Sequence, residues 1–99
     1  MRNRPAVRWW VYLLWCRDGS LYTGITNRLE ARIDAHNRGK GARYTRSRRP
    51  VRLAHAERAK DKGAALRREA EVKRWSRKDK LALVKRAKPK RRRQPTRVT

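Results

Sequence analysis

Five polar side chains stand out in a chain otherwise dominated by arginine and lysine, because phenols, a guanidinium, an imidazole and a carboxylate can move protons and hold anions or metal ions. Arg32 and His36 are i and i+4 neighbours that border the Leu29 and Ile33 stripe of one predicted helix. Glu69 borders apolar residues of a later predicted helix, where a carboxylate is unusual unless it binds a partner. The candidate catalytic residues are Tyr12, Tyr22, Arg32, His36 and Glu69.

Each candidate also has a plain structural explanation. A strand tyrosine usually packs with only its hydroxyl exposed, and Arg32 is one of 31 basic residues. His36 near a helix end can act as a cap or lie on the surface. Glu69 can simply pair with Lys73 or Arg68. The residues taken singly leave these alternatives open.

Several enzyme classes lack their usual motif in this sequence. No Cys and His spacing suits zinc, no glycine-rich P-loop is present, and no serine lies in a nucleophile-elbow sequence. Cys16 is the only cysteine, so neither a disulfide framework nor a cysteine metal cluster is expected. We expect Cys16 to be a buried strand residue and the protein to lie in a reducing cytoplasm.

The charge of the chain predicts a polyanionic partner. Its 31 Lys and Arg against 8 Asp and Glu give a formal charge of +23 over 99 residues, which predicts one basic domain. Nucleic acid fits best, since each neutralised phosphate releases counterions; a ribosome-associated protein is the alternative. The apolar run 9–16 is too short for a membrane helix and lacks a signal-peptide cleavage site, so no membrane association is expected.

Two strands and a tight turn are predicted near the start of the chain. Trp9 to Cys16 and Leu21 to Thr26 are rich in aromatic and β-branched residues. A three-residue loop, 17–19, lets Gly19 take the left-handed position of a bulged hairpin turn. Tyr12 then pairs opposite Gly24, and we expect Tyr12 and Tyr22 to face the same side of the sheet.

Helical periodicity begins after the second strand. Asn27 is the predicted N-cap of the first helix and Gly39 its stop. The residues 38–49 are predicted to form a glycine-punctuated loop that contacts phosphate. Val51, Leu53 and His55 alternate with other residues in a predicted third strand from Val51 to Arg58. The remaining predicted elements are helices from Lys62 to Trp75 and from Lys78 to Arg86 and a disordered basic tail from 88 to 99.

Five ordered blocks of this sequence resemble the GIY-YIG superfamily, and especially its small stand-alone bacterial members. The resemblance runs from about Trp9 to Val84. Both tyrosines and the final glycine of the name-giving motif match, whereas Trp10 stands where the family has glycine. The blocks are Val11-Tyr12-Leu13-Leu14, Leu21-Tyr22-Thr23-Gly24-Ile25-Thr26, Arg32 with His36-Asn37, Gly41-Ala42-Arg43-Tyr44-Thr45 and Ala65-Leu66-Arg67-Arg68-Glu69.

The resemblance implies an α+β fold with a three-stranded antiparallel sheet flanked by helices. It also implies phosphodiester cleavage with one Mg²⁺ or Mn²⁺ ion bound by Glu69, with Arg32 on the scissile phosphate and Tyr12 as the general base. Tyr22 and His36 would orient the nucleophile, position the phosphate or tune Tyr12. An unperturbed phenol has a pKa of about 10, so we expect Arg32, other cations and the metal to lower the pKa of Tyr12.

The function predicted from the resemblance is a metal-dependent DNA endonuclease acting on branched, nicked or damaged structures. The alternative is a non-catalytic nucleic-acid-binding module, including a ribosome-associated one. We expect a monomer associated with the nucleoid, with DNA preferred over RNA and no small-molecule cofactor. Its parts are a basic segment 1–8, a nuclease domain 9–87 and the tail. The predicted nucleic-acid-binding residues are Lys40, Arg43, Tyr44, Arg46, Arg48, Arg49, Lys73, Lys90, Arg91, Arg92 and Arg93.

Overall fold

Three antiparallel strands form the sheet in the computed structural model, which describes residues 8–87. The strands are β1 (Trp9–Trp15), β2 (Leu21–Thr26) and β3 (Arg52–Ala59), in the order β2-β1-β3. The predicted tail, with Lys90, Arg91, Arg92 and Arg93, lies outside the described residues, as does most of the basic segment 1–8. The α+β fold with its three-stranded antiparallel sheet is confirmed.

The central strand β1 is buried on both faces, because helices cover the sheet from both sides. Val11, Tyr12, Leu13 and Leu14 are consecutive buried residues, and their side chains alternate between the two faces. Tyr12 and Leu14 lie on what we call the α1 face, where the first helix, α1 (Leu29–Asn37), packs. Leu13 lies on the opposite face, which two later helices cover. Within the described residues, no helix is long and apolar enough to cross a membrane.

The hairpin between β1 and β2 has the predicted register. Gly19 takes a φ of 85°, and the amide N–H of Gly19 donates to the carbonyl of Cys16 at 2.9 Å. Tyr12 pairs with Gly24, and Leu14 pairs with Tyr22. Because paired residues of antiparallel strands point to the same side, Tyr12 and Tyr22 share the α1 face. The strand boundary differs by one residue, since β1 ends at Trp15 rather than Cys16.

The third strand breaks the alternation expected from the sequence. β1 pairs Leu13 with His55 but Leu14 with Leu53, so Ala54 is an extra residue in β3. Such a bulge turns the following side chains to the other face. Leu53 and His55 therefore point to opposite sides, and Leu53 is 43% exposed. The regular alternation of Val51, Leu53 and His55 predicted from the sequence was therefore wrong beyond Leu53.

The first helix, α1, spans Leu29–Asn37, and its two ends differ in how well the sequence predicted them. Asn27 is not the N-cap; Arg28 occupies that position without a side-chain cap, and the N–H of Arg28 donates to Oγ1 of Thr26. At the C-terminus, Gly39 follows the last turn and stops the helix as predicted, with a φ of 81°. The N–H groups of Gly39 and Lys40 donate to two carbonyls of the last turn, which is a Schellman motif.

The remaining helices include one that the sequence did not predict. A single helical turn, α2 (Arg43–Arg46), lies within the segment 38–49 that was expected to be a loop. Helix α3 begins after Asp61, whose side chain accepts from the N–H of Ala64 as an N-cap. Helices α3 and α4 cover the face opposite α1. Their bounds are Lys62–Lys73 and Arg77–Ala87.

Candidate active site

A buried hydrogen bond between Tyr12 and His36 lies at the centre of the α1 face. The Tyr12 hydroxyl is 2.9 Å from Nε2 of His36, and the two residues are 1% and 0% exposed. β1 positions the phenol, and α1 positions the imidazole against it through Leu29 and Ile33, which pack on Tyr12 and Leu14. The structure therefore brings together two of the predicted catalytic residues that are 24 positions apart in the chain.

Two glycines make room for this pair. A Cβ atom on Gly24 would lie 2.6 Å from the Tyr12 hydroxyl oxygen, because Gly24 is the cross-strand partner of Tyr12. A Cβ atom on Gly41 would overlap the imidazole of His36. Real Cβ atoms do not approach this closely, so both positions require glycine if the phenol and imidazole are to keep their places.

Gly41→Ala is expected to destabilise the fold by about 1 to 3 kcal/mol, since His36 is fully buried and cannot move aside without repacking. Thermal unfolding of the purified variant measures the effect. The matched control is Gly63→Ala at the start of α3, where the nearest atoms lie 3.5 Å from the added Cβ. This control should be neutral or gain up to about 1 kcal/mol from better helix propensity. Equal melting temperatures for the Gly41→Ala variant and the unmodified protein would contradict the prediction.

Thr45 is a buried partner of His36 that sequence reasoning did not single out. The Thr45 hydroxyl lies 2.8 Å from Nδ1 of His36 and donates to the carbonyl of Ala42 at 3.1 Å. Thr45 is fully buried although it belongs to a helix of only four residues. In the sequence, Thr45 belongs to the Gly41-to-Thr45 block, which stands out only through its resemblance to the family. Nothing local in it distinguishes a threonine facing the core from one facing solvent.

The electrostatics of the pair keep both groups neutral in the protein alone. Burial raises the pKa of Tyr12 above its usual value, although the Arg32 guanidinium beside the hydroxyl lowers it. Burial, with the nearby charge of Arg32, lowers the pKa of His36 to about 4. In the protein by itself the pKa of Tyr12 is therefore raised, because removal of the phenol from water outweighs the one adjacent guanidinium. The expected lowering, which includes the effect of the metal ion, stays a prediction.

Tyr22 completes an aromatic cluster around the imidazole. Its ring centroid lies 5.2 Å from that of His36 and 6.4 Å from that of Tyr12. The Tyr44 ring stacks on Tyr22 at 6.0 Å, and the Arg48 guanidinium lies 3.9 Å above the Tyr44 ring. This stack joins the buried pair to the surface, since Tyr44 is 39% exposed.

Glu69 approaches the same cluster from α3. Its side chain is 19% exposed, and its charge contributes to raising the pKa of Tyr12, so the carboxylate lies within electrostatic range of the phenol. Oε2 of Glu69 pairs with Nζ of Lys73 at 3.3 Å, which is the ion pair that the sequence allowed as an alternative. Glu71, the other carboxylate of α3, instead pairs with Arg68.

Glu69 presents carboxylate oxygens, the type of ligand that hard divalent cations prefer. The residues that the structure describes contain no cluster of three or more His, Cys, Asp or Glu side chains. Mg²⁺ commonly uses one or two carboxylates and completes its shell with water and substrate phosphate. Glu69 supplies the carboxylate oxygens, so its chemistry matches such a site, and Lys73 is the competing cation.

The predicted nucleic-acid-binding residues around α2 lie on the surface. Lys40, Arg43, Arg46 and Arg49 are exposed, and Arg48 pairs with Asp18 at 3.0 Å. Arg49 is held in place because its guanidinium donates to two backbone carbonyls.

A cavity of about 480 Å³ lies between the β1–β2 turn and the α2–β3 connection. Its lining includes Arg17, Arg46 and Arg49, none of which forms an ion pair within the described part of the chain. Arg17 was not among the predicted binding residues, because its cavity neighbours Arg46 and Arg49 are distant in the chain and are brought to it only by packing.

The model of the GIY-YIG catalytic domain matches residues 8–82. A UPF0213 protein from Staphylococcus haemolyticus is 52% identical over 75 residues, which cover 76% of this chain and 92% of the relative. A UPF0213 protein from Staphylococcus aureus (strain Mu3) is 51% identical, with the same coverage of each chain.

Two solution NMR structures are also similar. One, of a UPF0213 protein from Bacillus halodurans, is 41% identical with a TM-score of 0.54, covering 90% of this chain and 99% of the other. The second, of a protein from E. faecalis, is 34% identical with a TM-score of 0.58, covering 97% and 100%. The family match over most of the chain and these relatives show that the protein belongs to the GIY-YIG family.

Proposed function

We propose that this chain is a divalent-metal-dependent endonuclease that hydrolyses phosphodiester bonds in DNA. The observation that carries the proposal is the buried Tyr12–His36 hydrogen bond, with the Arg32 guanidinium beside the phenol and the Glu69 carboxylate within electrostatic range of it. Phosphodiester hydrolysis needs a proton acceptor for water, a cation on the phosphate and a ligand for a metal ion. The four side chains supply these groups.

In this mechanism Tyr12 accepts the proton of the attacking water while its own proton passes to Nε2 of His36. A direct transfer of this kind avoids a free phenolate, which the raised pKa of Tyr12 disfavours, and it forms an imidazolium at His36, which the pKa of about 4 makes the costly part of the step. Arg32 holds a non-bridging oxygen of the scissile phosphate and stabilises the charge that develops there. Glu69 would hold the metal ion, and the ion would supply further positive charge at the phosphate.

The surface around α2 is proposed to bind the nucleic acid on either side of the scissile bond. Helix α2 contributes Thr45 to the buried site and stacks Tyr44 on Tyr22. Exposed side chains on or next to α2 are those of Lys40, Arg43, Tyr44, Arg46 and Arg49. Arg17 belongs to the same surface, because Arg17 and Arg46 line one cavity. Arg48 and Lys73 are proposed to leave their carboxylate partners for phosphate in the complex.

A cleavage panel tests the proposed function. Supercoiled, nicked, flapped and four-way DNA, with RNA versions of the same shapes, are incubated with the full chain in Mg²⁺, Mn²⁺ or chelator. We expect cleavage that depends on the metal ion and is faster for branched or nicked DNA than for the other substrates. Binding without cleavage of any substrate would overturn the nuclease and support the non-catalytic binding module.

Other properties of the proposed enzyme are likewise open to direct measurement. We propose that residues 9–87 form the nuclease domain and that the protein acts as a monomer on the nucleoid in the cytoplasm. The formal charge of +23 supports association with the nucleoid, because it favours any polyanion. Sedimentation of the purified chain and localisation of a tagged copy test these two points.

The arginine cavity gives a prediction about salt dependence. Arg17→Gln with Arg46→Gln is expected to weaken binding similarly for all duplex sequences and to make the plot of log affinity against log salt shallower by about 0.9 per lost phosphate contact. Fluorescence anisotropy at several salt concentrations measures the slope. Arg38→Gln, whose side chain pairs with Asp34 on the exposed surface of α1, is the control. An unchanged slope in the double variant would remove this cavity from the interface.

A further inference from the structure

The proposed mechanism requires Nε2 of His36 to accept the Tyr12 proton, and this depends on which ring nitrogen of His36 carries hydrogen. A neutral imidazole has one donor nitrogen and one acceptor nitrogen. His36 is neutral around pH 7, because burial and Arg32 hold its pKa near 4. The bond at Nδ1 therefore determines what Nε2 can do.

Counting donors and acceptors distinguishes the two tautomers. With hydrogen on Nδ1, His36 donates to Thr45 Oγ1 at 2.8 Å, the Thr45 hydroxyl donates to the Ala42 carbonyl at 3.1 Å, and the Tyr12 hydroxyl donates to Nε2 at 2.9 Å. Every polar hydrogen in the chain of bonds has an acceptor. The phenol oxygen is left free to accept from Arg32.

The opposite tautomer satisfies fewer groups. With hydrogen on Nε2, His36 donates to the Tyr12 oxygen, and the Tyr12 hydrogen has no protein acceptor among the residues that the structure describes. Nδ1 then accepts from the Thr45 hydroxyl, which gives up the Ala42 carbonyl, and the one added contact is from the Ala42 N–H, which at 3.4 Å is long for a hydrogen bond. An unpaired buried hydroxyl costs about 1 to 3 kcal/mol, so the first tautomer is favoured.

We propose that Thr45 is a positioning residue that holds His36 in the Nδ1-protonated tautomer, so that Nε2 can take the Tyr12 proton. This role rests on the proposed nuclease mechanism. In the reaction the Tyr12 O–H bond breaks and an N–H bond forms at Nε2, while Tyr12 gains the proton that the attacking water loses. The imidazolium so formed keeps its Nδ1–H bond to Thr45 Oγ1.

The surroundings of Thr45 hold its hydroxyl in the required direction. The Ala42 carbonyl also accepts the N–H of Arg46, which fixes it within the single turn of α2. Gly41 brings the backbone of this turn against the imidazole, where any side chain would collide with the ring. The Thr45 hydrogen is thereby directed to the carbonyl, and its oxygen is presented to Nδ1.

Nitrogen NMR of the imidazole ring tests the tautomer without any need for activity. The chain has only two histidines, so a His55→Gln background leaves His36 alone in the spectrum. Long-range ¹H–¹⁵N correlation at pH 7 should show Nδ1 protonated and Nε2 unprotonated. Thr45→Val, which replaces the hydroxyl with a methyl group, should lose this preference, and Thr45→Ser should retain it. An Nε2-protonated ring in the unmodified protein, or an unchanged ring in Thr45→Val, would overturn the proposal.

Cleavage kinetics test whether the tautomer matters for the reaction. Thr45→Val is expected to lower kcat roughly 100-fold with little change in KM, and Thr45→Ser is expected to restore most of it. Thr23→Val is the control, since the buried Thr23 hydroxyl has no hydrogen-bond partner within residues 8–87 and its loss should leave kcat unchanged.

The two experiments separate failure of this role from failure of the nuclease. A folded Thr45→Val protein with unmodified kcat would overturn the positioning role even if its tautomer changed. Absence of cleavage by the unmodified protein would overturn the proposed function and the catalytic part of this role together. The NMR result would still decide the tautomer.

Discussion

Glu69→Gln is expected to lower the rate of metal-dependent cleavage by at least about 10³-fold while leaving nucleic-acid binding within about threefold of the unmodified protein. The carboxylate is the proposed metal ligand, and loss of the ion would remove several kcal/mol of transition-state stabilisation. Glutamine keeps the shape of the side chain but not its charge, so the packing of α3 is preserved. Single-turnover cleavage with saturating protein measures the chemical step, and anisotropy measures binding.

Glu71→Gln is the matched control for this prediction. Glu71 lies two residues away in the same helix and pairs with Arg68, on the side that faces Glu57 rather than the phenol. Its replacement removes the same charge from the same helix and should leave cleavage within about threefold. Equal losses in the two variants would show that the effect comes from the overall charge of α3, and full activity in Glu69→Gln would remove Glu69 from the metal site.

Tyr12→Phe is expected to reduce kcat by about 10²- to 10⁴-fold, the usual contribution of a positioned general base. The change deletes one oxygen and leaves the buried ring against Leu14 and Ile33. It also leaves Nε2 of His36 without its partner, which should cost about 1 to 3 kcal/mol of stability. Rapid-quench cleavage assays below the melting temperature of the variant separate the catalytic loss from unfolding.

The control for Tyr12→Phe is Tyr44→Phe, which also removes one phenolic oxygen. Tyr44 keeps its ring stacked on Tyr22 and under the Arg48 guanidinium when the hydroxyl is lost. We expect kcat to stay within about threefold of the unmodified value. Cleavage at the unmodified rate by a folded Tyr12→Phe protein would exclude Tyr12 as the base, and Tyr22 would then be the next phenol to test.

Much of the scaffold could be predicted from the sequence because its signals are local. The aromatic and β-branched residues of Trp9–Trp15 and Leu21–Thr26 indicate the two strands of the hairpin, and the loop length with Gly19 fixes its register. That register alone requires Tyr12 to lie opposite Gly24 and to share a face with Tyr22. Likewise, Gly39 ends α1 where a left-handed residue is needed.

Other features depend on packing between distant segments, so no local pattern could reveal them. The bulge at Ala54 exists only relative to β1, and it places His55 on the opposite side of the sheet from Leu53. The single turn of α2 has too few residues for a helical period, yet it carries Thr45 to His36. Arg17 reaches its cavity only because the hairpin turn packs near the α2–β3 connection.

The sequence by itself determined the main strands and helices, the pairing of the two strands in the hairpin and the types of group available for chemistry. Only the tertiary structure decided the hydrogen-bond partners and the protonation of those groups. The physical reason is that the pKa of Tyr12 and the tautomer of His36 depend on burial and on neighbours from three separate segments. Local periodicity sets which side of a strand or helix a residue occupies, but the dielectric environment around it exists only in the packed core.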